Sequence, residues 1–426
     1  MWSSCLRQDA KPAEDFGGET EVVVERLGAQ GEGVATIRGR NVFIPLTVPG
    51  DKIRIAYGGN QGRVLERLAD GPDRVAPPCP HFGACGGCAL QHLSMEAYRR
   101  FKEETLRTTL AQQGFADPPL APAVFIPEHT RRRATFAFRR QEEGLALGFY
   151  GARSRRVLDL AECRLLRPEL ESALPPLRRW LAALPAGSEG RLHLTLTDSG
   201  LDADLSLGAP LDSHAQAGLA AEAAPLNFAR LTLDGAALLL QRVPRLKLGD
   251  IAITPPPGAF LQPSREGESR LQAWVGEGVG KAKRVGDLFS GLGTFALPLA
   301  RQAQIHAVDS DENLLESLKA GARAASGLKP VTVEARDLLR NPLPLPSLSK
   351  FDAIVIDPPR AGARAQIQLL AKSTVPRIVA VSCNPASFAR DARLLVDGGY
   401  RLDWIRPLDQ FLWSAHLELV ALFTRR

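Results

Sequence analysis

The spacing of apolar and polar residues changes along the chain and separates three regions of different expected structure. Between residues 20 and 70, short alternating runs are punctuated by glycine and proline, a pattern that predicts the strands of a small β-barrel. From residue 131 to about residue 250, further alternating runs predict antiparallel strands. Beyond residue 252, strand-like apolar runs alternate with helical patterns, which is typical of a parallel, doubly wound sheet.

These changes predict an α/β protein of several domains. We place a small N-terminal β-barrel in residues 20–70, a central, mainly antiparallel β domain in residues 71–250, and a Rossmann-like domain in residues 251–426. A polar helix from about Met95 to Gln113 is expected before the central strands. Small barrels of this kind commonly bind oligonucleotides, and a purely structural barrel is the alternative.

Composition and charge limit the class of protein. The 426 residues are 45% hydrophobic, enough for several cores, and carry a formal net charge of +6 from 53 basic and 47 acidic residues. This excess is mild, so it is weak evidence for a nucleic-acid partner. No apolar run approaches the length of a membrane span, and no apolar signal segment opens the chain. We therefore expect a cytoplasmic protein with no membrane partner, in which disulfides are rare.

A cysteine stands at the end of one predicted buried strand. The run Val-Ala-Val-Ser before Cys383 is apolar, and Asn384 and Pro385 follow it as a turn. Ligands bind at the carboxyl ends of strands in open α/β sheets, so a thiol placed there is a candidate nucleophile. Free cysteine is also among the most buried residue types, and an inert core residue is the alternative.

Four other cysteines have the spacing of a metal or cluster site. Five residues separate Cys79 from Cys85, two separate Cys85 from Cys88, and Cys163 lies far downstream. In a cytoplasmic protein such a set indicates zinc or an iron–sulfur cluster, and three ligands from one loop plus one distant ligand favour the cluster. If Cys163 is instead a core residue, His81 is the alternative fourth ligand. Cys5 receives no role.

A glycine-rich turn predicts a nucleotide-type cofactor pocket. The strand that includes Asp287 and reaches Phe289 is followed by Gly291-x-Gly293, which lets the backbone approach a ligand closely. Asp309 follows about twenty residues later, at the end of the next strand, where a carboxylate can accept from both hydroxyls of a ribose. The spacing of these glycines and of Asp309 also fits the pattern of a dinucleotide-binding site, which is the alternative.

Two further acids fall near this pocket. Asp357, followed by two prolines, stands directly at a strand end and places a carboxylate in the cleft. Glu418 lies in the last strand, beside the same cleft. A solvent-facing charge on an edge strand is the alternative for Glu418.

With these motifs the chain resembles the RNA 5-methyluridine methyltransferase family, and in particular its 23S ribosomal RNA type with a TRAM barrel and an iron–sulfur cluster. The most specific motif is Ser-Cys383-Asn-Pro-Ala, followed by the ending His416-Leu-Glu418. The resemblance implies that Cys383 is the nucleophile and Glu418 the base. It also implies that Gln262, Phe289, Asp309 and Asp357 line the S-adenosylmethionine and target-base pocket, and that Cys79, Cys85, Cys88 and Cys163 bind a [4Fe–4S] cluster.

The implied reaction is methylation of uracil carbon 5 in RNA by a class I S-adenosylmethionine-dependent enzyme. Thiolate attack on carbon 6 makes carbon 5 nucleophilic, and a base then removes the carbon 5 proton. The resemblance points to 23S ribosomal RNA as substrate, with transfer RNA as the alternative, and to a monomer. Gln262 is followed by Pro263 and Ser264 where the family has Val-Asn, and Thr294 replaces an expected asparagine.

Two other functions remain open at this point. Asp357-Pro-Pro is similar to the signature of amino-nitrogen methyltransferases, but Arg360 stands where those enzymes have an aromatic residue. Such a reaction would also have no use for Cys383. A non-catalytic RNA-binding assembly factor is the third reading, although the nucleophile, the base and the cofactor acids are all present.

Overall fold

The structure is a computed structural model that describes residues 16–425, so Cys5 lies outside the described residues. Near the N-terminus, six short strands form one sheet with its own apolar core. They are β1 (Gly18–Val23), β2 (Arg26–Leu27), β3 (Gly33–Ile37), β4 (Arg40–Ile44), β5 (Lys52–Gly58) and β6 (Gln61–Ala69). Their spatial order is β1-β5-β6-β4-β3-β2, and every pairing is antiparallel except that between β4 and β6.

A second sheet occupies the middle of the chain, after helix α1 (Met95–Ala111) and the short strand β7 (Val124–Phe125). Its strands are β8 (Arg133–Gln141), β9 (Gly144–Tyr150), β10 (Val157–Asp159), β11 (Glu189–Thr197), β12 (Gly200–Leu207), β13 (Phe228–Leu233) and β14 (Ala236–Leu240). The order is β10-β9-β8-β11-β12-β13-β14, and β12 and β13 form the one parallel pair. Helices α2 (Pro168–Glu171), α3 (Leu174–Leu181) and α4 (Ser213–Ala223), with a 3-10 turn at Ala224–Leu226, belong to this region.

The third region is a doubly wound sheet, preceded by the hairpin β15 (Leu246–Leu248) and β16 (Ile251–Ile253). Its strands are β17 (Arg284–Leu288), β18 (Gln304–Asp309), β19 (Val331–Ala335), β20 (Ala353–Ile356), β21 (Arg377–Ser382), β22 (Tyr400–Asp409) and β23 (Glu418–Arg425). Its helices are α5 (Arg265–Val279), α6 (Ala296–Leu299), α7 (Glu312–Ala324), α8 (Leu345–Leu348), α9 (Arg364–Lys372) and α10 (Pro385–Asp397). The sheet order is β19-β18-β17-β20-β21-β23-β22-β7.

Both faces of this third sheet are covered, because its strands are apolar at successive positions. Val355 and Val379 pack into one core cluster, whereas their neighbours Ile354 and Ile378 pack into the cluster on the opposite face. Side chains alternate between the faces of a strand, so continuous apolar runs are required where helices cover both faces. The sequence prediction of a multidomain α/β fold is confirmed.

The third sheet also recruits the segment that joins the first two regions. Strand β7 pairs in parallel with the end of β22, and Leu106 and Leu110 of α1 are fully buried in the core beside α10. Residues 95–125, placed by the sequence in the central domain, therefore pack on the C-terminal sheet. None of the helices within residues 16–425 is long and apolar enough to cross a membrane.

A buried ion pair fastens α1 to the end of β22. Lys102 Nζ lies 3.2 Å from Asp409 Oδ1 and also donates to the carbonyl of His416, and both charged side chains are almost completely buried. The hydroxyl of Tyr98 donates to the second carboxylate oxygen and accepts from the amide of Trp413. These contacts attach the loop 410–417 to α1.

We expect Lys102→Met to lower the free energy of unfolding by about 3 kcal/mol, because it leaves the Asp409 carboxylate buried without its cation. Urea denaturation measures the change. Lys319→Met is the matched control, since Lys319 forms only an exposed pair with Glu316 and should cost under about 1 kcal/mol. Adding Asp409→Asn to Lys102→Met should recover part of the loss. Equal losses in the two single variants would contradict the prediction.

Candidate active site at the carboxyl edge of the C-terminal sheet

Three of the predicted reactive side chains meet where strands β20, β21 and β23 come together. Asp357 directly follows β20, and Cys383 directly follows β21. Strand β23 runs antiparallel to β21 with Ser382 opposite Leu419, so its first residue, Glu418, comes beside Cys383. The parallel strands β20 and β21 and the antiparallel strand β23 thus place a thiol and two carboxyl groups at the same edge of the sheet.

Cys383 is half-buried beside two acidic side chains, Glu418 and Asp357, and one guanidinium, that of Arg360. Burial raises the pKa of its thiol to about 12, and the carboxylates of Glu418 and Asp357 add to the increase. The guanidinium of Arg360 acts in the opposite direction and lowers this pKa. The resting thiol is therefore protonated, and Arg360 is the side chain that stabilises its thiolate.

Glu418 is buried, which rules out the solvent-facing alternative considered from the sequence. Only 3% of the residue is exposed. Burial raises the pKa of its carboxyl to about 8, Asp357 adds to the increase, and a hydrogen bond from Gln410 lowers it. Burial likewise raises the pKa of Asp357 to about 7. Carboxyl groups that titrate near neutral pH suit proton transfer.

Arg360 is fixed by two contacts to the active-site loops. Its guanidinium donates to Nδ1 of His416 over 2.8 Å, and its carbonyl accepts from the side-chain amide of Asn384 over 2.9 Å. Burial lowers the pKa of His416 to about 4, and Arg360 and Lys102 contribute. His416 is therefore neutral, with Nδ1 as an acceptor and the proton on Nε2. The sequence motif gave His416 no role, because its contact with Arg360 joins distant segments.

The pKa of Cys383 predicts an unusual alkylation profile for the RNA-free protein. The rate at which iodoacetamide modifies Cys383, followed by peptide mass spectrometry, should rise about tenfold per pH unit from pH 7 to 10, because the thiolate is the reactive form. An ordinary thiol would level off near pH 9. Arg360→Met should slow the reaction, whereas Arg364→Met, a nearby change without this contact, should not. A plateau below pH 9 would contradict the prediction.

The cofactor turn has the backbone that the sequence predicted. Phe289, just after β17, has a positive φ of 61°, as do Gly291 and Gly293. A Cβ on Gly293 would lie 2.8 Å from Leu318, so glycine is needed there for close packing as well. Asp309 ends β18, and its Oδ2 accepts from the amide of Gly291 over 2.8 Å. The carboxylate and the turn are therefore locked together.

Buried polar atoms without partners line the same region. Neither carboxyl oxygen of Asp287 makes a well-aligned hydrogen bond within the described residues, although the amide of Ala296 interacts with this carboxyl, and the hydroxyl of Ser290 also lacks a partner there. Burial, with Asp357 nearby, raises the pKa of Asp287 well above its usual range. A carboxyl and a hydroxyl with unused hydrogen-bonding capacity beside a glycine turn fit a polar ligand such as S-adenosylmethionine. The sequence pattern predicts Asp287 only as part of a strand and gives it no role.

Gln262 is connected to Glu418 through the side-chain amide of Gln410. It is buried, and its backbone carbonyl accepts from Arg132 Nε over 3.1 Å. The departure at Pro263 and Ser264 has a local reason, since the Ser264 side chain caps α5 by accepting from the amide of Gly267. The carbonyl of Thr294, the other departure, accepts from Gln272 Nε2 over 3.0 Å.

The four predicted ligand cysteines interact electrostatically with one another, but within residues 16–425 they do not form a metal-binding group. Burial raises the pKa of Cys88 to about 12, and interactions with Cys163, Cys85 and Cys79 add to it, which puts the four thiols in one neighbourhood. Nε2 of His81 accepts from the amide of Ala161 over 3.1 Å, so this nitrogen is engaged by the backbone. Within residues 16–425 no group of three or more His, Cys, Asp or Glu side chains is placed to hold a metal ion.

The cysteine loop, residues 79–88, contacts the active-site loop, residues 410–417, directly. The amides of Ala89 and Leu90, which follow Cys88, donate to the carbonyl of Trp413 over 2.8 and 3.1 Å. Trp413 lies within the loop 410–417, which leads into Glu418. The position of the cysteine loop and that of the active-site loop are therefore linked.

Comparisons with known proteins identify the family. Residues 331–426 match the model of the tRNA (uracil-5-)-methyltransferase family. The chain is 42% identical to an uncharacterized RNA methyltransferase of Brucella melitensis, over 95% of this chain and 98% of the relative. It is 35% identical to the 23S rRNA (uracil(1939)-C(5))-methyltransferase RlmD of Chromohalobacter salexigens, over 99% of this chain and 91% of that protein.

The fold has a solved counterpart. The crystal structure of Pyrococcus abyssi tRNA (uracil-54, C5)-methyltransferase with S-adenosyl-L-homocysteine matches with a TM-score of 0.74, at 23% identity, over 95% of this chain and 99% of that chain. This match supports the architecture, and the curated relatives confirm the resemblance stated from the motifs. The chain belongs to the family of S-adenosylmethionine-dependent RNA uracil-5-methyltransferases.

Proposed function

We propose that this protein methylates carbon 5 of a uridine in 23S ribosomal RNA, with Cys383 as nucleophile and Glu418 as base. The observation that carries the proposal is the strand register, which sets Glu418 beside Cys383 with Asp357 at the same edge. An amino-nitrogen methyltransferase needs neither a thiol nor a second buried carboxyl group at this position. A non-catalytic RNA-binding factor has no need for the whole arrangement.

The chemistry follows from the roles of these side chains. The Cys383 thiol first loses its proton to solvent. Its thiolate then adds to carbon 6 of the uracil, and the electron pair of the 5,6 double bond moves toward O4, which makes carbon 5 nucleophilic. S-adenosylmethionine supplies the methyl group that carbon 5 takes up. The ionised Glu418 then accepts the carbon 5 proton, and the electrons of that C–H bond re-form the double bond as the bond from sulfur to carbon 6 breaks. Asp357 is placed to bind the uracil edge or the cofactor.

The target uridine must flip out of its base stack to reach this edge, because carbon 5 and carbon 6 of a stacked base are not accessible to the enzyme. The N-terminal sheet is proposed to bind flanking RNA as a TRAM barrel. The choice of 23S ribosomal RNA rests on the relative that carries this activity in its name and shares nearly the full length of the chain. The archaeal transfer-RNA enzyme shares the architecture at lower identity, so the barrel alone does not select the RNA.

The substrate is tested by mapping 5-methyluridine in 23S ribosomal RNA and in transfer RNA from a strain that lacks the gene. We expect the loss of 5-methyluridine from 23S ribosomal RNA, and its return on expression of the wild-type chain but not of Cys383→Ala. Loss confined to transfer RNA would replace the proposed substrate and leave the proposed chemistry in place. Unchanged RNA in both classes would overturn the function.

We propose that Cys79, Cys85, Cys88 and Cys163 hold a [4Fe–4S] cluster. Thiols are the donors that such a cluster takes, and the Arg131 guanidinium, which interacts with Cys163 and Cys88, would offset their negative charge. Within residues 16–425 the four side chains are not arranged as a ligand group, so binding of the cluster requires them to move together. The cluster would hold the cysteine loop against Trp413 and so support the active-site loop.

Purified without oxygen, the protein should contain about four iron atoms per chain and absorb broadly in the visible range. Cys163→Ser should lower both the iron content and the absorbance, because it removes the distant ligand. Iron analysis and absorption spectra measure this, with Cys5→Ser as the matched control. A colourless protein with stoichiometric zinc would contradict the cluster.

A further inference from the structure

A buried amide joins the proposed base Glu418 to Gln262, which the family resemblance assigns to the cofactor and target-base pocket. Gln410 directly follows β22, and its Nε2 donates to Oε2 of Glu418 over 3.2 Å. The same nitrogen donates to Oε1 of Gln262 over 2.7 Å. All three side chains are buried. The two amide hydrogens are thus both used, one by each neighbour.

The orientation of this amide is determined by its surroundings. Gln262 presents its Oε1 and the ionised Glu418 presents its Oε2, and the NH₂ group of Gln410 faces both. Its Oε1 turns to the start of α5 and has no partner within the described residues. A Cβ on Gly267 would overlap this oxygen, so the glycine provides the space that the amide occupies.

We propose that Gln410 is a positioning residue that holds the base Glu418 and the pocket residue Gln262 in fixed orientations through one shared amide. This inference rests on the proposed function, in which Glu418 removes the carbon 5 proton. A hydrogen bond from an amide requires an acceptor at Oε2, so it favours the ionised carboxylate and leaves Oε1 to take the proton. Because Oε1 of Gln262 is engaged, its own NH₂ group is left to donate to a ligand.

The other groups that face Glu418 act against its ionisation. Burial and the Asp357 carboxyl, from the end of β20, raise its pKa, and the Cys383 thiol, from the end of β21, interacts with it as well. Gln410 is the neighbour that lowers this pKa. Removal of the amide should therefore raise the pKa of Glu418 by about one unit.

The test compares Gln410→Met with Gln366→Met in the full-length enzyme. Gln366 is a matched control, because it is also buried and also makes two hydrogen bonds, both to the backbone of Leu343, away from the site. The carboxyl infrared band of Glu418, assigned by its loss in Glu418→Gln, is titrated in RNA-free protein labelled at glutamate with carbon-13. Binding of S-adenosylmethionine is measured by calorimetry.

We expect Gln410→Met to move the Glu418 titration to higher pH by about one unit and to weaken S-adenosylmethionine binding several-fold. Gln366→Met should change only the unfolding midpoint. A Glu418 titration in Gln410→Met that superimposes on the wild-type curve would overturn the inference. Gly267→Ala provides a second test, because it displaces the amide without removing it and should also raise the pKa of Glu418. Gly276→Ala on the same helix, with open space around it, is its control.

Single-turnover kinetics separate this inference from the proposed function. If Glu418 is the base, the rate of product release should follow the shifted titration in Gln410→Met. If the infrared titration shifts and the rate does not follow, Gln410 still positions Glu418 but Glu418 is not the base. In that case the positioning stands and the proposed role of Glu418 fails.

Discussion

Cys383→Ala is expected to lower methyl transfer to RNA by roughly 10⁴-fold or more, because carbon 5 of uracil is not nucleophilic until a thiolate has added to carbon 6. None of the other cysteines within residues 16–425 can replace it, since none of them follows β20 or β21 at this edge. Incorporation of tritium from labelled S-adenosylmethionine into 23S ribosomal RNA measures the loss. The same variant should form no covalent complex with RNA that survives denaturing electrophoresis.

Cys5→Ala is the matched control for this prediction and should keep wild-type activity. Calorimetry should show that Cys383→Ala still binds S-adenosylmethionine within about twofold, because the thiol contributes little to the binding of a ground-state cofactor. Methylation that persists in Cys383→Ala would favour transfer to an exocyclic amine, the alternative that the Asp357-Pro-Pro sequence leaves open.

Much of the C-terminal sheet was predictable because its signals are local. Apolar runs ending in Asp309, Asp357 and Cys383 identify buried strands, and parallel strands place their carboxyl ends at one edge. Strand β7 was not predictable, since two residues carry no periodic signal and their partners lie at Leu408 and Asp409. The position of α1 against α10 was likewise hidden in the packing of Leu106 and Leu110.

The candidate site likewise has residues whose position the sequence predicts and contacts that it does not. Cys383 and Asp357 follow from strand ends, but the closeness of Glu418 depends on the antiparallel register of β21 and β23. Gln410 and Gln262 are 148 residues apart in sequence, so no spacing rule connects them. Family resemblance predicts which residues react, whereas the contacts that orient them needed side-chain coordinates.

Glu418→Gln is expected to trap the reaction after methyl transfer. Without a carboxylate to accept the carbon 5 proton, the bond between Cys383 and carbon 6 cannot be expelled, so a methylated protein–RNA complex should accumulate. Denaturing electrophoresis and intact mass should reveal it, with product release slowed by roughly 10²–10⁴-fold. Because burial raises the pKa of Glu418 to about 8, wild-type release should increase as pH rises through that value. The residual rate of the variant should lack this dependence.

Glu277→Gln is the control for removal of a carboxylate as such. Glu277 pairs with Arg406 at the surface, with its side chain 57% exposed, so its loss should leave the release rate and its pH dependence unchanged. If Glu418→Gln instead releases methylated RNA at the wild-type rate, another group removes the proton. If it accumulates a complex without the methyl group, Glu418 acts before methyl transfer. The methyl content of the trapped complex therefore places Glu418 in the order of steps, because the base is needed only once carbon 5 carries both the methyl group and the proton to be removed.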